Sequence, residues 1–419
     1  MNDRGFSFRR AAVLIAIVAA LLAGQTSPPQ AVAQADPARL ASDNTAFAFD
    51  LYHALAADPE AGNLIYSPYS VSLALAMTYA GARGETARQM AETLHFTLPG
   101  DELHPAFHAL QEALARPAEV PGEQPLALNI ANAIWGQAGF PFRAAYLDLL
   151  AAFYEAGLRE LDFLAAPEDA RRTINDWVSQ ETEDRIRDLL PPGSINADTR
   201  LVLTNAIYFY GAWRSAFEEA LTADGAFHLL DGGEVAVPMM RQTEHFGYAA
   251  GEGYQAVQLP YQGGRAAMLI LLPDEGRFPT FEDSLDAARL AAVLDALGPA
   301  ELALTMPRWE HESEFSLVET LKALGMPDAF EESRADFSGM ADLATAGGNL
   351  FISEVVHKAF IRVDEQGTEA AAATGVVVGI TAMGPPPIEV TLDRPFIYVI
   401  YDLETEAVLF AGRVLNPAA

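Results

Sequence analysis

Cysteine is absent from this 419-residue sequence, and lysine occurs only at Lys322 and Lys358. The absence of cysteine excludes disulfide bonds, thiolate metal sites and a cysteine nucleophile. Arginine supplies nearly all of the positive charge, and 57 acidic residues outnumber 26 basic ones, which gives a formal net charge of −31. A chain this acidic lacks the basic face that nucleic acids require. For the same reason we expect no polyanionic cofactor of the heparin type.

Sequence motifs of enzymes are also missing. No phosphate-binding loop, dinucleotide fingerprint or G-x-S-x-G elbow occurs, and His311 is not followed by the second histidine of a zinc helix. His104 and His108 form the one histidine pair at ligand spacing, but their polar surroundings predict an exposed helix. We therefore expect no catalytic residue, no metal and no cofactor. A secreted hydrolase stays open as an alternative, because catalytic triads are recognised by geometry and not by motif.

The N-terminus has the order of segments found in a secretory signal peptide. Three arginines within the first ten residues precede the apolar run Ala11–Ala23, and small residues follow at the candidate cleavage sites after Ala33 and Ala35. The run is shorter than the roughly 20 residues that span a bilayer, although a retained anchor remains an alternative. We expect residues 1–35 to be the signal peptide and residues 36–419 to form a single exported domain, extracellular or periplasmic.

The order of the predicted elements indicates an α+β fold. Helical spacing dominates the first third, as in Phe47, Leu51 and Leu55, whereas alternating and β-branched segments dominate the rest. Strands are predicted at Arg200–Tyr210, Glu234–Met240, Tyr254–Pro260, Ala266–Leu272, Glu301–Met306, Leu350–Val363, Ile388–Leu392, Phe396–Asp402 and Ala407–Val414. No regular β-α-β alternation appears, so we expect largely antiparallel sheets.

The segment Glu365–Ile380 fits neither an ordinary linker nor an ordinary helix. It begins Glu-Gln-Gly-Thr-Glu, continues with four alanines and ends in β-branched residues before Gly384 and three prolines. Flexible linkers are rich in glycine and serine, and a helix interior disfavours Gly375 and Gly379. A permanently buried core strand remains the alternative on composition alone.

The side chains of this segment alternate with a period of two. One face is small and then apolar: Thr368, Ala370, Ala372, Thr374, Val376, Val378 and Ile380. The other face carries a single charge, Glu369, and otherwise only glycine, alanine and valine. Because no bulky or charged group follows Glu369, the segment can enter a sheet without burying a charge. The pattern predicts a conditional strand with Gly367 as its hinge.

This hinge resembles that of inhibitory members of the serpin family, and further matches extend over nearly the whole chain after the leader. The matching segments are Asn63 with Ser67, Pro68 and Ser70, Asn205–Phe209 with Gly211, Trp213 and Phe217, Val237–Met240, Leu259–Tyr261, Ala335–Gly339, Phe351–Phe360, Arg394–Phe396, and Phe410–Arg413 with Asn416 and Pro417. Two departures, Tyr210 in place of lysine and Trp309 in place of phenylalanine, are interpreted as packing variants.

The resemblance implies the serpin fold, in which N-terminal helices pack on a mixed, mainly antiparallel five-stranded sheet with smaller sheets beside it. An exposed reactive-centre loop is then expected at about residues 365–387, beginning as a free segment at Thr368. The implied hinge comprises Glu365, Gly367, Thr368, Glu369, Ala370, Ala371, Ala372 and Ala373. The implied structural gate comprises Ser67, Ser70, Asn205 and His357, with Trp213 at the end where insertion begins.

The resemblance also implies inhibition of serine endopeptidases as a suicide substrate, in a covalent acyl-enzyme complex. The family's usual spacing from Glu365 puts the reactive bond at Thr381–Ala382, which suits proteases of elastase or subtilisin character. If the long region before Pro387 shifts the spacing, Ala382–Met383 becomes the bond and a chymotrypsin-like target is admitted. We expect a monomer, with loop–sheet polymers as an alternative assembly. A serpin-fold carrier or chaperone that does not inhibit also stays open.

Overall fold

The computed structural model describes residues 35–58, 61–116, 127–154, 157–346, 348–368 and 386–419. Nearly all of the predicted signal peptide and most of the predicted reactive loop, residues 369–385, lie outside these ranges. Residues 35–419 form one compact unit. Among the described residues, no helix combines the length and the apolar character needed to cross a membrane.

Helices begin where the sequence supplies capping residues. Ser67 caps the second helix by accepting a hydrogen bond from the Ser70 backbone N–H at 3.2 Å, and Pro68 occupies the first helical turn. Asp36 and Pro37 start the first helix in the same way. The α-helices are α1 Pro37–Ala56, α2 Pro68–Tyr79, α3 Gly84–Thr93, α4 Gly100–Ala115, α5 Ala144–Phe153, α6 Pro167–Glu181, α7 Phe278–Asp283, α8 Ala287–Ala296 and α9 Val318–Leu324.

The strands form two sheets. They are β1 Leu64–Tyr66, β2 Ala127–Gln137, β3 Leu158–Leu161, β4 Leu201–Ala212, β5 Ala223–His228, β6 Glu234–Gly251, β7 Tyr254–Pro260, β8 Ala266–Pro273, β9 Gly298–Pro307, β10 Trp309–Ser316, β11 Glu354–Val363, β12 Gly367–Thr368, β13 Ile388–Thr391, β14 Phe396–Asp402 and β15 Val408–Val414. The larger sheet has the order β1-β15-β14-β8-β7-β6-β9-β13, with β5 paired to β6. The other has the order β10-β11-β12-β4-β2-β3.

The α+β prediction is confirmed by this architecture. The five full-length strands expected of the main sheet are β10, β11, β4, β2 and β3, and the two-residue strand β12 adds a sixth between β11 and β4. Pairing is mixed, because β11 runs parallel to β4 and β3 runs parallel to β2, while β10–β11 and β2–β4 are antiparallel.

The main core lies between the two sheets and around α2, whose side chains are almost all buried. A second, smaller core covers the opposite face of the six-stranded sheet, where α6 packs through Ile174 and Val178 against Trp135, Val202 and Val356. The six-stranded sheet is therefore enclosed on one face by the main core and partly covered on the other by α6.

The prediction of an exposed helix around His104 and His108 is wrong for His104. His104 lies on α4 as expected, but it is only 5% exposed, and its Nδ1 shares a hydrogen bond with the Tyr154 hydroxyl at 2.6 Å. Tyr154 follows α5, which packs on this side of α4. Burial lowers the pKa of His104 to about 4, so the ring is neutral at pH 7.

Candidate functional site

Two hinge residues, Gly367 and Thr368, lie between β4 and β11 at one end of the two strands. This end, beside Val363 and Gly211, is called the upper end. Thr368 pairs with Val363 of β11 on one side and with Gly211 of β4 on the other, antiparallel to both. Gly367 pairs with Ala212. Thr368 is only 1% exposed, which corrects the expectation that the free loop begins at this residue. It is instead the first residue of a strand that has entered the sheet.

A buried tyrosine explains why Thr368 lies inside. The Tyr261 hydroxyl and Thr368 Oγ1 are 2.8 Å apart and share a hydrogen bond. The Tyr261 ring stacks on Trp213, with ring centroids 4.7 Å apart and planes inclined by 12°. Burial raises the pKa of Tyr261 well above its ordinary value, so the hydroxyl keeps its proton. Thr368 thus satisfies a polar group that would otherwise be buried without a partner.

Glu365, the first residue of the predicted hinge, is held in place by two neighbouring side chains. Its carboxylate accepts hydrogen bonds from Arg308 Nε, at 2.7 Å, and from the Thr222 hydroxyl, and its side chain is 3% exposed. Burial by itself raises the pKa of Glu365, but the hydrogen bonds from Arg308 and Thr222 outweigh it and leave the pKa below its ordinary value. The carboxylate therefore stays charged and paired at neutral pH.

The backbone of the residues after β4 holds the same segment. The N–H groups of Phe217 and Trp213 donate to the carbonyls of Glu365 and Gln366, each at 2.8 Å, and the Trp213 indole N–H donates to the Asp364 carbonyl at 3.0 Å. Trp213 therefore lies at the hinge end of β4. The sequence interpretation placed it there.

Gly367 occupies a position that no other residue fits. Its φ of +150° is rarely adopted by residues with a side chain, and an added Cβ would lie 2.1 Å from the Gly211 carbonyl oxygen and 2.7 Å from the Ala212 Cα. Both atoms belong to the backbone of β4 and cannot move aside as a flexible side chain would. The hinge enters the sheet because this residue is glycine.

The register of the hinge matches the register of the two strands that flank it. Val363 and Gly211, which face Thr368 from its two sides, are 152 positions apart in the sequence. Below the hinge, β11 and β4 pair directly, and the same difference of 152 separates Glu354 from Val202 and every other pair down the ladder. A strand that continued downward from Thr368 would need β4 and β11 to move apart but not to slide.

The four residues predicted to form the gate lie together midway down this gap. His357 and Asn205 face each other across β11 and β4, and the His357 Nδ1 shares a hydrogen bond with the Asn205 Oδ1. His357 Nε2 accepts from the Ser67 N–H at 3.0 Å, and Asn205 Nδ2 donates to Ser70 Oγ at 2.7 Å. Asn132 of β2 completes the network by accepting from Ser70 Oγ at 2.9 Å. The network ties the start of α2 to three strands.

His357 is neutral within this network. It is fully buried, and burial lowers its pKa to about 3. A neutral ring can accept from the Ser67 N–H through one nitrogen and donate to Asn205 through the other. Protonation would abolish the acceptor and leave a buried charge beside the Ser67 N–H.

Some predicted residues fall outside the structure, and some contacts were missed. Glu369, Ala370–Ala373, Thr381, Ala382 and Met383 lie beyond the described residues. Sequence reasoning missed Asn132, Tyr261, Thr222 and Arg308. Of these, Asn132 offered a signal, because it is a polar residue within the apolar strand segment 130–135. Within the described ranges, no group of His, Asp and Glu side chains is arranged to hold a metal ion.

Comparison with known proteins agrees with this geometry. The model of the serpin (serine protease inhibitor) family matches residues 42–417. A leukocyte elastase inhibitor of Bos taurus is 39% identical over 388 residues, covering 90% of this chain and 100% of its own. An uncharacterized serpin-like protein of Thermococcus kodakarensis is 40% identical over 373 residues, covering 88% of this chain and 84% of its own.

A solved structure shares the fold. The thermophilic serpin tengpin in its native state superposes with a TM-score of 0.79 at 29% identity, covering 90% of this chain and 94% of its own. The chain belongs to the serpin family. It is accordingly grouped with protease inhibitors, such as the leukocyte elastase inhibitors it resembles, and not with enzymes.

Proposed function

We propose that this serpin is an exported inhibitor of serine endopeptidases that acts as a suicide substrate. A target protease attacks the reactive loop and forms an acyl-enzyme through its own serine. The freed arm then enters the sheet between β4 and β11, a strand addition of the kind described for serpins in general. The acyl-protease is carried away from its docking position before it can deacylate.

The matched register is the observation that supports this mechanism most directly. Six residues beyond Thr368 is Thr374, and six positions back along β4 and β11 are Asn205 and His357. An arm that continued the present register would therefore bring Thr374 between Asn205 and His357 of the gate. In a continued strand the Thr374 hydroxyl would fall on the same face as that of Thr368, and a hydroxyl offers both a donor and an acceptor. The hydrogen bond between Asn205 and His357 would be replaced and not simply lost.

The same register accounts for the alternation along the arm. Ala370 would face Phe209 and Ile361, which are 2% and 1% exposed and belong to the core side of the sheet. Glu369 would point the other way, beside Arg362, whose side chain is 56% exposed. Glu369, the only charged residue between Thr368 and Ile380, would thus fall where water and a cation can accommodate it.

The energetics favour insertion. About a dozen new backbone pairings, each contributing about 0.5–1.5 kcal/mol net, supply a driving force on the order of 10 kcal/mol. From Thr368 to Thr381 the inserted arm spans roughly 40 Å at about 3.3 Å per residue. The native form is therefore kinetically and not thermodynamically favoured.

The proposed bond is Thr381–Ala382, with Ala382–Met383 as the alternative. No arginine or lysine lies between Glu365 and Leu392, which disfavours proteases that require a basic residue before the bond. A small uncharged residue fits elastase- or subtilisin-like proteases with shallow pockets. Export rests on the N-terminal segment, and we propose that the protein meets its target as a monomer outside the cytoplasm.

The test compares two charge substitutions one residue apart. Ala370→Arg places the charge on the face that enters the core, and Glu369→Arg places it on the opposite face. Each variant is incubated with an elastase and with a subtilisin, and denaturing gels and mass spectrometry follow the covalent complex and the released C-terminal peptide. We expect Ala370→Arg to be cleaved without trapping the protease, while Glu369→Arg retains the complex.

Several outcomes would contradict the proposal. Cleavage of the unmodified protein without any complex would rule out trapping. Equal trapping by both variants would rule out insertion in this register. A released peptide that begins at Ala382 would identify Thr381–Ala382 as the bond, and one that begins at Met383 would identify the alternative.

A further inference from the structure

Two neighbouring cavities lie between α4 and β2, the strand next to the edge strand β3, far in sequence from the hinge. Their volumes are about 290 Å³ and 270 Å³, and they share Gln111 of α4 and Ile130 of β2 in their walls. The first is also lined by Leu114, Leu128 and Tyr69, and the second by Trp177 of α6. Each cavity has room for a molecule of one or two rings.

The walls contain three buried polar atoms without a hydrogen-bond partner among the described residues. They are the Tyr69 hydroxyl, the Gln111 Oε1 and the Trp177 indole nitrogen. Tyr69 is 1% exposed. Most buried polar groups in folded proteins have a partner, so three unpaired atoms around the same two cavities require an explanation.

Other buried tyrosines in the protein show what is unusual about Tyr69. The hydroxyls of Tyr52, Tyr66, Tyr146 and Tyr261 bond to Glu282, the Ala48 carbonyl, the Met77 carbonyl and Thr368, respectively. Tyr69 is as deeply buried as these four tyrosines, yet its hydroxyl has no hydrogen-bond partner among the described residues. Burial raises its pKa, so it remains a neutral donor and acceptor at neutral pH.

The charges around the cavities favour an uncharged ligand. Glu112 and Glu181 line the two cavities and repel anions, as does the net charge of −31. The Arg159 guanidinium in the wall is already engaged, because it lies 4.7 Å from the centroid of the Trp177 ring. His108 Nε2 lies 3.8 Å from the Glu112 carboxylate.

We propose that this cleft, defined by Tyr69, Gln111, Ile130 and Trp177, is a binding site for a small neutral aromatic molecule that carries hydroxyl groups. A hydroxyl donates to the Gln111 oxygen, and its oxygen accepts from the Tyr69 hydroxyl or from the Trp177 N–H. The rings pack against Leu114, Leu128 and Ile130. The site does not depend on the reactive loop, so its existence is independent of the inhibitory function.

The test uses 2-naphthol as the probe and 2-methylnaphthalene as its matched control, with the full-length protein. Binding is measured by saturation-transfer NMR and by isothermal titration. We expect 2-naphthol to bind at least about tenfold more tightly than the control, because the control leaves the polar atoms unpaired. Equal affinities, or no binding of 2-naphthol at millimolar concentration, would overturn the proposal.

Two substitutions localise the site. Tyr69→Phe removes one unpaired hydroxyl without opening space, so we expect weaker 2-naphthol binding and a thermal midpoint that is unchanged or higher. A lower midpoint would show that the hydroxyl already has a partner, and would count against the proposal. Ile130→Trp fills both cavities and should abolish binding, and Gln111→Leu provides a milder test should the larger residue disturb folding. Binding that none of the three variants reduces would overturn the assignment.

Discussion

The two sheets of this serpin hold their strands together by different means. In the larger sheet, β8, β14 and β15 are antiparallel neighbours in which every residue is buried. In the six-stranded sheet, β4 and β11 are parallel neighbours joined across their middle by His357 and Asn205. Apolar packing is lost when strands separate, because nothing of matching shape takes its place. A hydrogen bond between two polar groups can be exchanged for bonds to an incoming hydroxyl.

The comparison teaches where this fold can open. The β4–β11 pair is already separated at its upper end by Gly367 and Thr368, and its register needs no slip to admit more residues. No described residue enters between β8 and β14. The six-stranded sheet is thus marked by its polar gate and its parallel β4–β11 pairing, and the larger sheet by its buried apolar strands β8, β14 and β15.

The largest effect is expected from Gly367→Val, because the added side chain would clash with the backbone of β4 where residue 367 now lies. The added side chain meets the β4 backbone at 2.1 Å and forces a valine to adopt a φ of +150°. Strain of about 1–3 kcal/mol corresponds to roughly 5- to 150-fold in the partition between trapping and release. We expect the number of inhibitor molecules consumed per protease trapped to rise at least about fivefold, measured by titration.

Gly348→Val is the matched control for this change. An added Cβ at Gly348 meets nothing within 4 Å, and its φ is not in the positive range. Its titration should be indistinguishable from that of the unmodified protein. Normal trapping by Gly367→Val would mean that the hinge does not enter the sheet as a strand.

An effect of similar size is expected from acid, through protonation of His357 in the gate. The pKa of His357 is about 3 in the folded protein and about 6.5 in the unfolded chain. Because the pKa of His357 is lower in the folded protein, the neutral ring contributes to the free energy of unfolding. That contribution is complete above about pH 6.5 and is lost as the pH falls towards 3. Between pH 7 and pH 4 the loss amounts to about 3 kcal/mol.

Urea unfolding of the protein and of His357→Gln at several pH values measures this contribution. His104 and His311, whose pKa values are both lowered to about 4, titrate in the same interval and are common to both proteins. The difference between the two curves therefore isolates His357. Parallel curves would show that the gate does not sense pH.

The smallest effect is expected from Thr368→Val, which removes one hydrogen bond at the hinge. The valine keeps the shape of threonine but leaves the Tyr261 hydroxyl buried without its partner. We expect a loss of about 1 kcal/mol in the free energy of unfolding. Tyr261→Phe should cost less when added to Thr368→Val than when made alone, and a double-mutant cycle checks this coupling. Additive effects would mean that the two hydroxyls do not interact.

Sequence patterns predicted the elements of the fold well where periodicity is strong. The strand predicted at Phe396–Asp402 has those bounds in the structure, and the strand predicted at Tyr254–Pro260 does too. His104 was misjudged because its burial depends on Tyr154, which lies fifty positions away in the sequence. The polarity of the residues around His104 does not reveal a partner that lies in a distant part of the sequence.

The site was predictable as a set of residues but not as an arrangement. The hinge glycine and the gate residues follow from local sequence and family resemblance, whereas the bond between Thr368 and Tyr261 joins residues 107 positions apart. Whether Thr368 lies in the loop or in the sheet depends on that contact and on the register of β4 against β11. Neither the contact nor the register can be predicted from a single segment of the sequence.

The stacking of Trp213 on Tyr261 gives the molecule an optical reporter. The indole is 1% exposed, lies 4.7 Å from the tyrosine ring and donates to the Asp364 carbonyl just before the hinge. Three other tryptophans contribute to the emission: Trp135 and Trp177, which contact each other, and Trp309, which packs against Phe396. We therefore expect the emission wavelength and intensity of Trp213 fluorescence to report movement of the hinge in real time, without any added label.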